Sequence, residues 1–321
     1  SLGAPVTAQT VLKIATLAPE GSSWIIALRQ IDAEIRSETD GQVRLKIYAG
    51  GVQGDEGVML RKIRIGQLHA AGLGGPGISH VLPDVLALEM PFLFENYDEV
   101  DYVLGKTEDY YRKAFQYAGF VLLGWSDLGF VYIMSQQPIR SVEDLSRHKV
   151  WRLQDEPITG VLFEKAGVTS VPLTIPDVLL GLQTNLIDVV YASPAAAIVL
   201  QWFTRVKFYT DLPINYTIGA FLVQQKAFNR LTATQQRRLL EISARHIGAH
   251  NRRSRTDNRD ALQIMRREGI AAVASPPEAV ESFQQLVRES TPELIGHAFS
   301  RQAHAMVHRH LDEFRAPSPS E

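Results

Sequence analysis

Strand-like and helix-like apolar patterns alternate through the first third of the chain, and this alternation limits the possible folds more than any other feature. The strand pattern "VLKIATL" is followed by a helical pattern that begins at Trp24, and "VRLKIYA" by a second helical pattern and the short apolar strand "LHAAGLG". A strand–helix–strand–helix–strand order implies a parallel sheet with right-handed crossovers. We therefore expect an α/β sheet flanked by helices.

The same alternation returns in the middle of the chain. "FVLLGW" and "FVYIMSQ", near residues 120–136, read as two strands, and helices and strands alternate from there to "IDVVYAS". Two α/β half-domains are the simplest architecture for a chain of 321 residues with this pattern. The last third is mostly helical, and a proline-free helical pattern from about residue 232 to 269 is long enough to span both domains.

Composition excludes several classes of function. The net charge is −2, with no long block of like charge, which argues against a nucleic acid or an anionic membrane as partner. No apolar run reaches transmembrane length, and the absence of cysteine excludes disulfides, thiolate catalysis and Cys-ligated zinc. The opening "SLGAPVTAQT", without an initiator Met, predicts a mature protein whose signal peptide has been removed, or a trimmed chain.

The segment "GLGGPG", which begins at Gly72, formally matches the glycine pattern of dinucleotide-binding proteins. That site requires the glycines to lead directly into a helix, whereas Pro76 lies inside this segment and Pro83 interrupts the residues after it. We interpret "GLGGPG" as a loop whose bare backbone approaches another group closely, and no cofactor is expected.

Two histidine pairs four residues apart, His246/His250 and His304/His308, could chelate a metal ion, but neither has the Glu of H-E-x-x-H. They predict solvated helix faces and no metal site. No nucleophile elbow or phosphate-binding loop occurs. We therefore expect that the protein is not an enzyme.

Two polar segments at helix starts admit a chemical and a structural interpretation. Ser22 and Ser23 could be nucleophiles, but no pattern nominates a base, and helix capping is the simpler role. Asp55 and Glu56 could form an acid/base pair, but acids in the first turn of a helix usually interact with its dipole.

Large aromatic residues lie at or near junctions of predicted strands with loops: Trp24, Trp125, Tyr132, Trp151 and Tyr191. Burial in a core explains about half of them. A ligand cleft lined by aromatic rings explains all of them together.

Seven segments in order make the chain similar to a known family: "TLAPEGSSW", "TDGQVRLKIYAGG", "GDEGVMLRKIRIGQL", "MPFLF", "SVEDLSRHKVW", "VPLTIPDVLLGLQTNLID" and "QWFTRVKFYTDLP". It resembles the solute-binding proteins of tripartite ATP-independent periplasmic (TRAP) transporters over nearly its whole length. The resemblance implies a periplasmic protein, expected to be a monomer, with two α/β domains around a cleft and a long helix crossing both. It also implies hinge closure on a ligand that is delivered to the TRAP permease.

The resemblance and the pattern of elements together assign the domains. Residues 9–127 with about 219–255 are expected to form domain I, residues 128–218 with about 256–316 domain II, and 317–321 a disordered tail. The chain should cross between the domains near residues 126–136 and 213–222, which are the expected hinge segments. Expected ligand contacts come from both domains: Ser22, Ser23, Trp24, Glu56, Gly75, Trp125, Tyr132, Trp151, Arg152, Asp155, Tyr191, Ser193 and Tyr216.

The chain departs from the family where the ligand carboxylate is held. Most of the family has an Arg in a K-x-R segment, but here the segment is "KVWRLQDEP", so that either Trp151 or Arg152 occupies that position, depending on where the count starts. Many relatives have an Asn in an "ENP" segment after the later strand, where this chain has "VVYASP" and offers Tyr191, Ala192 and Ser193 instead, and several have a second Arg where it has Val131. These departures resemble a subgroup with a Trp in the K-x-W segment.

We therefore predict high-affinity binding of a small organic solute, which is an organic acid or a more apolar molecule held by aromatic rings. A ligand-sensing or ligand-presenting protein for a signalling or accessory partner is the alternative within the same architecture. A two-domain α/β enzyme is the alternative from a different class, and turnover of the ligand would distinguish it from a binding protein.

Overall fold

A computed structural model describes residues 9–316, so the expected N-terminal processing and the tail at 317–321 lie outside the described residues. The chain forms two compact units. Unit one comprises the residues up to Leu73 together with Phe115–Asp127 and Gly219–Ser254, and unit two comprises Gly74–Ala114, Leu128–Ile218 and the residues from Arg255 onward. Residues 74–114, which the sequence pattern assigned to the first domain, group with unit two, where the Asp84 carboxylate accepts a hydrogen bond from the Ser300 backbone N–H at 2.7 Å.

Ten strands lie within the described residues: β1 (Thr10–Thr16), β2 (Val43–Tyr48), β3 (Ala70–Gly74), β4 (Phe120–Ser135), β5 (Val150–Leu153), β6 (Ser170–Leu173), β7 (Val189–Ala192), β8 (Phe208–Thr210), β9 (Asn215–Gln224) and β10 (Ala271–Val273).

Twelve α-helices accompany them in the same range: α1 (Ser23–Glu38), α2 (Glu56–Arg64), α3 (Gly75–Ser79), α4 (Tyr97–Tyr117), α5 (Val142–Ser146), α6 (Pro157–Lys165), α7 (Val178–Gln183), α8 (Pro194–Val199), α9 (Gln225–Phe228), α10 (Ala233–Arg267), α11 (Pro277–Leu294) and α12 (Arg301–Arg315). Short 3-10 helices occupy Pro83–Leu88, Ile175–Asp177 and Trp202–Arg205. No helix in this part of the chain is both long and apolar enough to cross a membrane.

Unit one contains the parallel sheet that the first third of the sequence predicts. Strand β1 pairs in parallel with β2 on one side and with β3 on the other. Helix α1 buries the residues of its apolar spacing, including Leu28, Ile31 and Ile35, in one core with Leu12 and Ile14 of β1. The periodicity of 3.6 residues and the strand run therefore converge on the same core, as expected for a crossover unit.

Unit two has a sheet of mixed direction. Strand β5 pairs in parallel with β6 and β7, whereas β4 runs antiparallel to β7. Strand β8 pairs antiparallel with β4 and parallel with β10. The sheet is thus mostly parallel, as predicted, with an antiparallel strand that enters from unit one.

Three elements have residues in both units. The unit boundaries divide β4 after Asp127, β9 after Ile218 and α10 after Ser254. The first two boundaries fall inside the segments expected to act as hinges, and hinge motion stays a prediction. The long helix is confirmed: α10 contributes Leu239 and Ile242 to the core of unit one and Met265 to a core of unit two.

The two strands expected near residues 120–136 are one continuous strand, β4, so that prediction is wrong. Gly129, with φ +103°, lies inside β4 and does not end it. A Cβ at Gly129 would lie 2.4 Å from Asn258 Nδ2, and Asn258 donates to the Leu128 carbonyl at 3.1 Å. Gly129 therefore makes room for an amide that holds the strand on α10.

The segment "GLGGPG" is not a loop, which corrects the expectation from its composition. It forms the end of β3 and the short helix α3. The expected close approach of backbone is present, because a Cβ at Gly72 would lie 2.6 Å from Trp24 Nε1 and one at Gly75 would lie 2.1 Å from a Glu89 carboxylate oxygen. The glycines thus serve packing within each unit.

We predict opposite effects for the same substitution at two glycines. Gly72→Ala should lower the free energy of unfolding by about 1–3 kcal/mol, because the new methyl group overlaps the buried Trp24 indole. Gly105→Ala, at an exposed position of α4 with no atom within 4 Å of the new Cβ, should raise it by about 0.5–1 kcal/mol. Urea unfolding of both variants tests this, and equal effects would contradict it.

Candidate functional site

Strand β5 carries the two residues whose register the sequence left open. Successive side chains on a strand point to opposite faces, so Trp151 and Arg152 cannot share an environment. Trp151 is 4% exposed and belongs to a core of unit two. Its indole N–H donates to the Leu173 carbonyl at 3.1 Å. The ring stacks on Tyr191 with centroids 4.8 Å apart and meets Trp202 edge-on at 5.2 Å. Trp151 is therefore a packed residue whose donor is already used within the unit.

Arg152 has the opposite character. Its side chain is partly exposed, and it forms no hydrogen bond or ion pair with any residue from 9 to 316. The guanidinium passes along α6, since a Cβ at Gly160 would lie 3.9 Å from Nη1. A guanidinium without a carboxylate partner is suited to an anion, which it can bind with two parallel hydrogen bonds.

Glu156, which the sequence did not nominate, is a buried acid that interacts electrostatically with this guanidinium. It is 6% exposed and occupies the N-cap of α6. Its carboxylate accepts hydrogen bonds from the Ile158 N–H at 2.8 Å, the Thr159 N–H at 2.8 Å and the Thr159 hydroxyl at 2.6 Å. Burial raises the pKa of the Glu156 carboxyl, while the hydrogen bonds and the charge of Arg152 oppose the shift. A Glu directly before Pro157 was the available sequence signal for a helix start.

Tyr191 lies against the same group of residues. Its hydroxyl oxygen accepts a hydrogen bond from the Leu153 N–H at 3.4 Å. Burial raises the pKa of the Tyr191 phenol well above its usual range, and the nearby Glu156 carboxylate acts in the same direction. The phenol therefore stays protonated and can serve as a hydrogen-bond donor. Arg152, Tyr191 and Glu156 together form what we call the β5 cluster.

Two further candidates lie just after the strands that carry this cluster: Asp155 follows β5, and Ser193 follows β7. Asp155 is exposed and has φ +61°, at the tight connection between β5 and α6. Ser193 is buried at the N-cap position of α8, where its side chain makes no capping bond. The adjacent Ala195 N–H instead donates to Asn258 Oδ1 at 3.0 Å.

The other candidates of unit two are held by packing within that unit. Gly75 faces the buried Glu89 carboxylate, which accepts from the Thr217 hydroxyl at 2.7 Å. Tyr216 is buried among aromatic rings, including Phe130 at 5.6 Å. Tyr132 meets Tyr209 edge-on at 6.1 Å, and burial raises the pKa of Tyr132.

The candidates of unit one at the start of α1 have structural roles. The Ser22 hydroxyl accepts from the Ile25 N–H at 3.4 Å and so caps the helix, as the simpler interpretation expected, and Ser23 is the first helical residue. Trp24 is buried, with its ring 5.2 Å from the His250 ring.

The remaining candidates of unit one lie on other elements. Glu56 begins α2 beside the N-cap Asp55, whose carboxylate accepts from the Val58 N–H at 2.7 Å. The Trp125 ring lies 5.8 Å from the Phe115 ring, and the Trp125 carbonyl accepts from Asn251 at 2.9 Å. The structure thus gathers Arg152 and Tyr191 in one place, while most of the other candidates are engaged in packing or capping.

The histidine pairs are not solvated helix faces, which corrects that expectation. His250 is buried, and its Nε2 lies 3.2 Å from the Ser126 hydroxyl. The His246 ring lies 2.6 Å from a Glu34 carboxylate oxygen. The rings of His304 and His308 have centroids 4.3 Å apart, and burial lowers the pKa of both. Among the described residues no group of three or more His, Asp or Glu side chains could hold a metal ion.

A family model described as bacterial extracellular solute-binding protein, family 7, matches residues 14–296. The chain belongs to this family. The family match confirms that the chain is related to TRAP solute-binding proteins. It also confirms that the protein is a solute-binding protein rather than an enzyme.

Relatives with the same organisation are known in sequence and in structure. A solute-binding protein of Verminephrobacter eiseniae is 24% identical over 84% of this chain and 81% of its own length. A TRAP periplasmic solute-binding protein of Xanthobacter autotrophicus, with bound β-D-galacturonate, has a TM-score of 0.87 at 19% identity and covers 94% of this chain and 99% of its own. A sugar acid binding protein of Advenella mimigardefordensis, in complex with galactonate, has a TM-score of 0.88 at 17% identity, covering 95% and 99%.

This protein therefore has the α/β periplasmic-binding-protein fold that its sequence predicts. Its homologues are periplasmic binding proteins.

Glu156 provides a pH-dependent prediction. Its pKa is higher in the folded protein than the value of 4.5 for an unperturbed carboxyl, so its contribution to stability is fully present below pH 4.5 and is lost as pH rises through the folded pKa. We compare the parent with Glu156→Gln, which does not titrate. The free energy of unfolding of the parent minus that of the variant should be largest at pH 4, and this difference should fall towards pH 7.

Urea unfolding followed by tryptophan fluorescence at several pH values measures this difference. Glu156→Gln is expected to be the less stable protein at pH 4, because its amide NH₂ faces backbone N–H donors. A difference that is constant with pH, or that grows as pH rises, would show that burial does not control the ionisation of Glu156.

Proposed function

We propose that this protein binds a small organic acid in the periplasm, as a monomer, and delivers it to the membrane permease of a TRAP transporter. The observation that carries the proposal is the Arg152 guanidinium, which is partly exposed and has no partner among residues 9–316. The ligands of the two solved relatives, galacturonate and galactonate, are sugar acids with a carboxylate. A carboxylate would complete the two-pronged hydrogen bonding that Arg152 offers.

Within the K-x-W segment, we assign the carboxylate-binding role to Arg152 rather than to Trp151. The support is strand alternation: the Trp151 indole is buried and its N–H is bonded to Leu173, whereas Arg152 is on the other face with its donors free. Trp151 would act through Tyr191, since their stacked rings hold the phenol next to Arg152.

We also propose that the chain belongs to the subgroup with a Trp in this segment. The packed rings of Trp151, Trp202 and Tyr191 support an aromatic surface beside the anion-binding group. Such a surface suits a ligand with an apolar body or a sugar ring next to its carboxylate. Ligand contacts by the other candidate residues remain predictions. Titration of variants with organic acids tests them, and Ser22, Trp24 and Trp125 are the first residues of unit one to replace.

Arg152→Ala should weaken binding of the organic acid by about 3 kcal/mol or more, which is a factor of a hundred or more in Kd, because the carboxylate would lose its charged partner. Titration of galacturonate, galactonate and a panel of other organic acids, followed by tryptophan fluorescence, measures the change. Arg152→Lys keeps the charge but not the planar fork, and it should recover only part of the affinity.

Lys149→Ala is the matched control. This substitution removes the positively charged side chain of the residue before β5. In the parent, the Lys149 ammonium donates to the Asn185 carbonyl. The affinity of the variant for the acid should stay within about threefold of the parent, since exposed charges at a distance contribute little. If Arg152→Ala binds as tightly as Lys149→Ala, Arg152 does not hold the ligand.

A further inference from the structure

Although the net charge of the chain is only −2, positive and negative residues are unequally distributed between the two units. Of the 33 Lys and Arg, 15 lie in unit one and 18 in unit two, whereas the 35 Asp and Glu divide into nine and 26. Unit one therefore has a formal charge of +6 and unit two of −8. A division of this size favours partners whose surfaces carry complementary charge.

On unit one, part of this positive charge borders an exposed apolar groove at α2. The groove has a volume of about 490 Å³ and is lined by Val58, Arg61, Lys62, Arg64 and Ile65. Ile65 is 69% exposed, and Val52 in the preceding loop is 70% exposed. We call these six residues the α2 surface. Large aliphatic side chains this exposed are suited to burial against a partner.

Two cations of the α2 surface, Arg61 and Lys62, have no carboxylate partner among the described residues, whereas several other cations of unit one are paired. Glu20 pairs with Arg29, Glu38 with Arg238, and Glu34 with Arg245. The Arg61 guanidinium forms no hydrogen bond or ion pair with the residues that the structure describes, and the Lys62 ammonium donates only to Gln53, through its carbonyl and its side-chain oxygen, at 2.9 Å each. Positive charge is therefore left beside the groove.

We propose that the α2 surface docks on an acidic surface of the membrane permease, with an apolar side chain of the permease seated in the groove. This inference rests on the proposed function. An apolar centre with charged residues at its rim is the usual anatomy of a protein–protein interface. Anionic lipid surfaces are recognised instead by clusters of four to eight cations, whereas the α2 surface has three, one of which is engaged with Gln53.

The test measures uptake of radiolabelled galacturonate or galactonate, whichever the parent binds, into proteoliposomes that contain the TRAP permease subunits. Arg61→Glu and, separately, Ile65→Ser should raise the protein concentration needed for half-maximal uptake at least tenfold. Their Kd for the acid should equal that of the parent. Arg61→Glu should also weaken the dependence of uptake on salt, because rim charges act on association.

Arg237→Glu is the matched control, since Arg237 is an exposed cation on α10 of unit one whose guanidinium has only Thr234 as hydrogen-bond partner among the described residues. It should stay within twofold of the parent. Uptake by Arg61→Glu and Ile65→Ser equal to that of the parent overturns the proposal, as does an equal loss in Arg237→Glu.

A lipid partner is a separate outcome of the same test. Binding of the parent to anionic vesicles without permease, as strong as to the proteoliposomes and lost in Arg61→Glu, would overturn docking on a protein. A parent that binds none of the acids would instead overturn the proposed function, so the two failures can be distinguished.

Discussion

Side-chain alternation along β5 is the constraint on which the proposed site depends. A four-residue strand between two parallel neighbours can place only one of two successive residues in the core. Trp151 occupies that place because its indole finds both stacking partners and a carbonyl acceptor there. Arg152 is consequently directed to the other face, where it forms no hydrogen bond or ion pair with any residue from 9 to 316. The burial of an aromatic ring and the availability of a guanidinium are thus two results of one register.

The polar groups around Arg152 are organised by the start of α6. Glu156 satisfies the first N–H groups of this helix, which would otherwise lack acceptors. Burial of its carboxyl places a polar group with a raised pKa next to Tyr191. The charge of Arg152 acts against the effect of burial on both pKa values, so the three side chains of the β5 cluster interact electrostatically.

The sequence predicted much of the fold because local signals agreed with one another. The alternation of strands and helices, the long helix α10 and the capping role of Ser22 could be derived from periodicity and residue type. Prediction was less successful where distant side chains decide local structure. Asn258 supports an unbroken β4 at Gly129, and Trp24 and Glu89 account for two glycines of "GLGGPG". The sequence around each glycine gives no indication of these contacts, because the partner residues lie elsewhere along the chain.

The candidate site could be located only in outline from the sequence. Aromatic residues at strand ends drew attention to β5 and β7, but ring position alone could not show that Trp151 uses its N–H within the core. Glu156 was missed because a capping acid before a proline resembles any other helix start. The seven ordered segments were more informative than any single residue, since the family match covers residues 14–296.

The most direct test of the central claim is a calorimetric titration of the parent with a sugar acid and with its uncharged amide, followed by mass spectrometry of the recovered ligand. We predict that the acid binds saturably, that the amide binds at least about a hundredfold more weakly, and that the acid is recovered unchanged. Equal affinity for the acid and the amide would contradict recognition of a carboxylate, and a recovered ligand of altered mass would contradict a binding protein.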